Sequence, residues 1–434
     1  MVLVEADLAR FLLSAGLLLL AALAIGELFT RCRQPRVIGE IMGGLLLGPS
    51  LLGAIAPQAE QWVFPQAGPS ASALGAVYQL GLIWLMFSAG TELRRLPVGR
   101  ERVTAVSILV AGTALPFAVG LALFFIAQPP HIGGPAGSTT ALALVFAAAI
   151  AVTSIPVISR IMLDLGLLRT AFARVVLGAA VLEDVVMFAV LGIAIGITQS
   201  SAGGIGIVAA LDIQEGSALS AVYYLCAVGT ALAVGSLLAL KGGRPASLMR
   251  RVSGEIKLEL LFVLLVVAAC LFVNVPPLFG GLVAGLALGG NADSEATQQV
   301  KAYGLAFFVP IYFAIVGVRL DLLHAFQPAF FAAFFLFAYG VKGVSVYMGA
   351  RLSGESFHDS RNFAVALNAR GGPGIILATA ALDARIINAN FYASLVLLAI
   401  VSSLLAGWWL EHALVPRAQP TSLAAAVQGA PPTP

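Results

Sequence analysis

The stretch VLGAAVLEDVVMFAVLGIA, residues 176–194, places two adjacent carboxylates, Glu183 and Asp184, in the middle of an otherwise apolar run. An apolar run of about 20 residues is long enough to cross a bilayer as a helix. An ionisable side chain at its centre costs about 2.5–3.5 kcal/mol even on lenient insertion scales, so it needs a partner, a water-filled cavity or a function. Neighbouring helical residues point about 100° apart, so one carboxylate can line a cavity while the other pairs elsewhere. A purely structural salt bridge would need only one acid. Two like charges held side by side suit a site that loads and releases protons.

The rest of the chain agrees with a membrane setting. Of its 434 residues, 60% are hydrophobic and 10% charged, against about 25% charged in an ordinary soluble domain. The net charge is only +3 and the basic residues form no extended run, which excludes nucleic acid as a partner. Cys32, Cys226 and Cys270 are odd in number and scattered, so neither a disulfide framework nor a metal centre is expected. His131, His324, His358 and His412 lie near segment ends without metalloenzyme spacing. No HExxH or GxSxG occurs, and aspartyl proteolysis needs acids on different helices, which Glu183 and Asp184 are not. The chain is therefore not read as an enzyme, and no cofactor is expected. Glu5 and Asp7 replace the basic start of a signal peptide, and the apolar stretch before Arg31 is too long for one, so it is read as a retained membrane helix.

Thirteen apolar segments are predicted: 11–29, 37–54, 73–93, 103–127, 138–162, 170–197, 218–240, 256–273, 276–290, 302–321, 328–351, 361–382 and 390–411. They make up an all-α polytopic membrane domain over 1–412, followed by a short disordered tail at 413–434. Arginine and lysine collect in alternate loops, as in Arg31, Arg33 and Arg36, then Arg94, Arg95, Arg100 and Arg102, then Lys241, Arg244, Arg250 and Arg251. Only Arg10, Arg319 and Arg385 lie on the opposite side. Cytoplasmic loops retain such charges, which puts the N-terminus outside and the C-terminus in the cytoplasm. With segment 7 (218–240) as a linker, 11–197 and 256–411 become two inverted six-helix repeats. IGEIMGGLLLG (38–48) matches FGGLVAGLALG (279–289) at five of eleven positions, and Gly90 and Leu93 align with Gly317 and Leu320 at the same seven-segment offset.

Further polar residues sit inside the apolar segments. Lys342, in FLFAYGVKGVSVYMG (335–349), is too deep to snorkel easily and is the natural counter-charge for one of the acids. Segments 5 and 12 look broken, and the breaks correspond under the repeat. The first carries Thr153, Ser154 and Pro156, and the second carries Asn368, Arg370, Gly371, Gly372, Pro373 and Gly374. Proline and clustered glycine unwind a helix. Crossed half-helices would then present their ends, with released carbonyls able to coordinate a cation, at mid-membrane. For Arg370 a structural role is expected, either neutralising carbonyl ends at the segment 12 break or pairing with Glu27, Glu40, Glu92 or Glu259.

At these residues the chain resembles the monovalent cation/proton antiporter family, in the bacterial branch of sodium/proton antiporters and potassium-efflux proteins. The resemblance runs from about residue 8 to 412 and is strongest over 26–53, 151–185, 310–322 and 367–407. It implies that Asp184 carries the ion and the proton, that Thr153 and Ser154 help coordinate an alkali cation, and that Lys342 is the basic residue opposite the site. It also implies a homodimer in the cell inner membrane. The residue before the essential aspartate is commonly Asp, Asn or Gln in the family and is Glu183 here, so stoichiometry and the choice of Na+ or K+ stay open. Potassium-efflux members commonly carry a C-terminal nucleotide-sensing domain; only a short tail follows residue 412, so no such regulation is expected within this chain.

The function expected is exchange of Na+ or K+ for protons by alternating access. Proton and cation would compete for Asp184 while a core of segments 3 to 6 and 10 to 13 moves against the remaining scaffold. A proton-independent gated cation channel and an organic-solute symporter are the alternatives. Paired acids with Lys342 make a more charged and less roomy site than an organic solute would need.

Overall fold

The computed structural model describes residues 4–32, 34–92, 100–129, 131–154, 157–158, 161–162, 165, 167, 170–198, 223, 226–227, 229–231, 233–235, 237, 251–273, 275, 277–291 and 294–414. Pro156, most of the 218–240 linker, tail residues 415–434 and several loop arginines, Arg33, Arg94 and Arg95 among them, lie outside the described residues.

Within them the fold is helical, with no strand beyond an isolated bridge between Gly133 and Ile387. The helices are α1 Glu5–Arg31, α2 Arg36–Leu47, α3 Pro69–Glu92, α4 Arg100–Leu109, α5 Leu115–Ala127, α6 Thr139–Ala151, α7 Ala171–Thr198, α8 Ile256–Phe272, α9 Pro277–Leu288, α10 Glu295–Tyr303, α11 Val309–Val318, α12 Pro328–Leu352, α13 Phe357–Ala366, α14 Gly371–Asp383 and α15 Ala389–Leu414. Their starts follow local chemistry. Pro69 and Pro328 open α3 and α12, where the missing N–H has no helical partner in any case. Ser138, Ser294 and Ser356 each accept from the backbone N–H three residues on, capping α6, α10 and α13.

Among the described residues, eight stretches are long and apolar enough to cross a membrane. Leu20, Phe272 and Leu336 are 64%, 59% and 70% exposed, as expected of side chains that face lipid. This is a multi-pass membrane protein.

Several segment boundaries move. Segment 4 begins at Arg100 and contains a π turn at Val110–Ala114; segment 10 begins at Glu295 and contains another at Gly304–Phe308. Segment 2 ends its helix at Leu47, before Gly48 and Pro49, and two short helices, Leu52–Ile55 and Pro57–Val63, follow. Segment 12 starts earlier, at Phe357, and is two helices, α13 and α14, separated at residues 367–370.

The helices pack as two groups. In one, α3 lies along α9 and α2 along α11, with α1 and α8 beside them. In the other, α4 to α7 pack with one another and with α12, while α12 to α15 close around them. Segments 3 and 10 therefore belong with 1, 2, 8 and 9, not with the core of 4 to 6 and 11 to 13 as expected from the sequence. Glycine explains why. A Cβ on Gly44 would overlap the Ala314 carbonyl and one on Gly317 the Ile41 carbonyl, so α2 and α11 touch backbone to backbone. A Cβ on Gly90 would likewise meet the Leu282 carbonyl and one on Gly285 the Phe87 carbonyl, fixing α3 against α9.

Candidate functional site

Glu183 and Asp184 lie halfway along α7, 2% and 3% exposed. They face different surroundings, as their 100° separation requires. Lys342 Nζ of α12, fully buried, donates to both Glu183 oxygens at 2.9 Å. It also donates to the carbonyls of Gly112 at 2.8 Å and Ala151 at 2.6 Å. An ammonium has three N–H donors, so Lys342 is fully satisfied. Gly112 belongs to the π turn between α4 and α5, a local widening that offers its carbonyl sideways. A Cβ on Gly112 would lie 2.8 Å from Val346 Cγ2, so glycine lets α12 approach close enough to deliver the lysine.

Asp184 has no such partner set. Among the described residues its buried Oδ1 has no hydrogen-bond partner. A cavity of about 320 Å³ between α4–α5, α6 and α7 has Glu183 and Thr113 in its otherwise apolar wall, and Asp184 is not part of it.

The two breaks cross each other. After α6 ends at Ala151, residues 152–154 leave the helix. The Thr153 hydroxyl donates to the Leu367 carbonyl at 2.6 Å and Ser154 N–H to the Ala369 carbonyl at 2.7 Å. Asn368 Nδ2 donates to the carbonyls of Ala364 at 3.1 Å and Tyr339 at 3.2 Å. Each break thus satisfies backbone groups that the other has released, which is the condition for irregular backbone inside a bilayer. Gly371 has no room for a Cβ beside Val157. Pro373 falls in the first turn of α14, where no helical acceptor awaits its missing N–H, and Gly374 N–H returns to the Arg370 carbonyl at 3.0 Å.

Arg370 is 1% exposed and caps a helix other than its own. Its Nη2 donates to the carbonyls of Ile150 at 2.9 Å and Ala338 at 2.7 Å. The segment 12 break is thus not where its charge goes, and the proposed acids have other partners: Glu27 has Arg31, Glu40 has Arg36 and Glu259 has Thr297. The Glu92 side chain lies outside the described residues. Arg370 and Lys342 together cover the last carbonyls of α6, Ile150 and Ala151, where the partial negative charge of the helix end collects. Such a contact contributes up to about 2 kcal/mol when partly buried.

Three features of this site are absent from the sequence reading: the Gly112 carbonyl and the hydroxyls of Ser402 and Ser403. Ser402 Oγ accepts from Arg370 N–H and Ser403 Oγ from Gly371 N–H, each at 3.3 Å. The adjacent serines in the apolar run VLLAIVSSLLAG (396–407) are the sequence signal that points to them.

The sodium/hydrogen exchanger transmembrane family matches residues 17–415. The chain belongs to that family. Membership makes cation/proton exchange its function, and neither the channel nor the symporter alternative gains support. A Na(+)/H(+) antiporter of Synechocystis, NhaS4, is 28% identical over 405 residues, covering 91% of this chain and 95% of that protein. K(+)/H(+) antiporter 1 of Saccharomyces cerevisiae is 28% identical over 92% of this chain but 46% of its own length, so the chain spans about half of that relative. The sodium proton antiporter MjNhaP1 of Methanocaldococcus jannaschii has a related fold, with a TM-score of 0.61 over 94% of this chain and 98% of that one at 16% identity.

Proposed function

We propose that this exchanger carries Na+ or K+ and protons on Asp184 by alternating access. The observation that carries the reading is the contrast within the acid pair. Glu183 is held by a lysine whose donors are all used, whereas Asp184 keeps a buried oxygen with no partner among the described residues. A buried carboxylate oxygen left unsatisfied is costly. Either a proton or a dehydrated alkali cation relieves that cost, and the two compete for the same place. Thr153, in the crossing next to α7, is the hydroxyl proposed to help coordinate the cation; Ser154, expected to share that role, already accepts from two backbone N–H groups.

The moving body is α4–α7 with α12–α15, and α1–α3 with α8–α11 form the scaffold. Thirteen spans in two inverted repeats fit the packing, because Gly44 of α2 corresponds to Gly285 of α9, Gly90 of α3 corresponds to Gly317 of α11, and each makes the equivalent close approach. The arginine distribution supports an outer N-terminus and a cytoplasmic C-terminus in the plasma membrane. A homodimer is part of the same proposal.

With Lys342 engaged by Glu183 and two carbonyls, the cycle proposed leaves its proton in place and exchanges one cation for one proton. Proteoliposomes loaded with a pH-sensitive dye should respond to Na+ or K+ among Li+, Na+, K+ and Rb+. The response should be the same with and without a valinomycin clamp. A net charge moved per cycle would instead bias transport by about 2.3 kcal/mol per 100 mV, and such voltage dependence would overturn the one-for-one stoichiometry.

A further inference from the structure

We infer that Ser402 and Ser403 of α15, together with Ser154, are positioning residues that hold the mid-membrane start of α14 in register with the transport site. The first backbone donors of a helix have no partner within it. Three successive ones here, the N–H groups of Arg370, Gly371 and Gly372, are accepted by Ser402 Oγ at 3.3 Å, Ser403 Oγ at 3.3 Å and Ser154 Oγ at 3.1 Å. All three serines are fully buried. Ser154 Oγ also accepts from Val157 N–H at 3.4 Å, so one hydroxyl serves backbone donors on both chain segments of the crossing. Its acceptor capacity is thereby used. Of the two break hydroxyls, Thr153, which donates to the Leu367 carbonyl, is the one with lone pairs left for a cation.

The serines act through Arg370. Its backbone is fixed by Ser402, and its guanidinium covers the Ile150 carbonyl at the end of α6, three residues before Thr153. Freeing the start of α14 would let that contact drift and loosen the crossing that packs against α7.

The double variant S402A/S403A should raise the apparent KM for the cation about tenfold, equivalent to ~1.4 kcal/mol, with the maximal rate held within about twofold. S402T/S403T, which keeps both hydroxyls, should restore the parental KM. The single variants S402A and S403A should give intermediate values should the double variant fold poorly. An alanine variant with parental KM, or threonine variants as impaired as alanine, overturns the assignment. Parental protein exchanging in the same vesicles separates that failure from a failure of the exchange reading.

A second and independent observation lies at the seam between the two helix groups. Arg319 Nη1, just past α11, pairs with Asp383 Oδ1 at the end of α14 at 2.6 Å. Tyr78 of α3 donates to Asp383 Oδ2 at 3.1 Å, and the Arg319 guanidinium lies 4.5 Å from the centre of the Tyr78 ring. Further into the seam, Tyr312 and Thr379 share a hydroxyl contact at 3.1 Å, and Tyr392 donates to the Val316 carbonyl at 2.9 Å. Both of the side chains named around Asp383 come from the scaffold, and Asp383 itself from the moving body. The geometry points to a gate: Asp383, Arg319 and Tyr78 latch this end shut and must separate when the bodies rock.

The inference rests on the alternating-access reading and is tested without transport. In protein carrying T379C, with Cys32, Cys226 and Cys270 replaced by serine, labelling by maleimide in detergent reports opening of the seam. D383N should accelerate labelling by about tenfold, which corresponds to ~1.4 kcal/mol. The exchanged pair R319D/D383R should return it toward the parental rate. Equal labelling with and without D383N, or no recovery in the exchanged pair, removes the latch while leaving exchange itself untouched.

Discussion

Replacing Asp184 by Asn is expected to abolish cation-dependent proton release from proteoliposomes while leaving the protein folded. The substitution removes one proton-binding group and hardly changes the volume, and the residue is 3% exposed with an oxygen that has no hydrogen-bond partner among the described residues to lose. Folding is therefore spared, unlike in a substitution that opens a cavity. Exchange is not spared, because coupling depends on one site being occupied by either a proton or a cation before the bodies move. Each pH unit supplies about 1.36 kcal/mol per proton to drive the cation, and only through a group that binds both. An amide cannot take up the proton in this range, so the response should fall at least about 100-fold, a loss of ~2.7 kcal/mol or more in transport free energy. The dye response to each cation measures it, and size-exclusion behaviour checks the fold. Normal exchange by D184N would move the carrier to another residue, with Glu183 next in line.

Part of this site is legible in the sequence because charge in an apolar run is expensive. Glu183, Asp184, Lys342 and Arg370 announce themselves by that cost, and charge alone marks Lys342 as the partner of one of the acids, which the fold identifies as Glu183. That segment 12 is interrupted is readable too, but the interruption is at residues 367–370, and Gly371, Gly372, Pro373 and Gly374, expected to be part of it, form the first turn of α14, where a missing N–H costs nothing. What the sequence hides is any partner that is a backbone atom. The Gly112 carbonyl meets Lys342 only because a π turn presents it, and nothing in VAGTA (110–114) marks that turn. Arg370 reaches Ile150, 220 positions away, and no residue type distinguishes that carbonyl from its neighbours. The grouping of segments 3 and 10 with the scaffold is hidden for a related reason. The deciding glycines at 44, 90, 285 and 317 look like any others in an apolar run until the helix facing each one is known.

The largest effect on stability is expected at Lys342. In K342M, Glu183 keeps its burial and loses its counter-charge, and the carbonyls of Gly112 and Ala151 lose their donor. Breaking a buried pair on one side costs about 3–5 kcal/mol, because the remaining charge is stranded in a medium that cannot solvate it. The apparent melting temperature in detergent should drop sharply. Replacing both partners, as in E183Q/K342M, removes the stranded charge and should recover most of that loss, since a buried pair exchanged for neutral groups of similar size is often close to neutral. The two single variants and the double variant make a cycle whose coupling energy should exceed about 2 kcal/mol, toward the upper end for residues in direct contact. A small coupling energy would mean that the pair contributes little and that the two carbonyl contacts hold Lys342 by themselves. The same double variant separates structure from transport. If Lys342 retains its proton throughout the cycle, folded E183Q/K342M should still exchange, with Asp184 intact. A folded double variant that binds cation yet moves no protons would bring the Glu183–Lys342 pair into the transport cycle and end the case for one-for-one exchange on Asp184 alone.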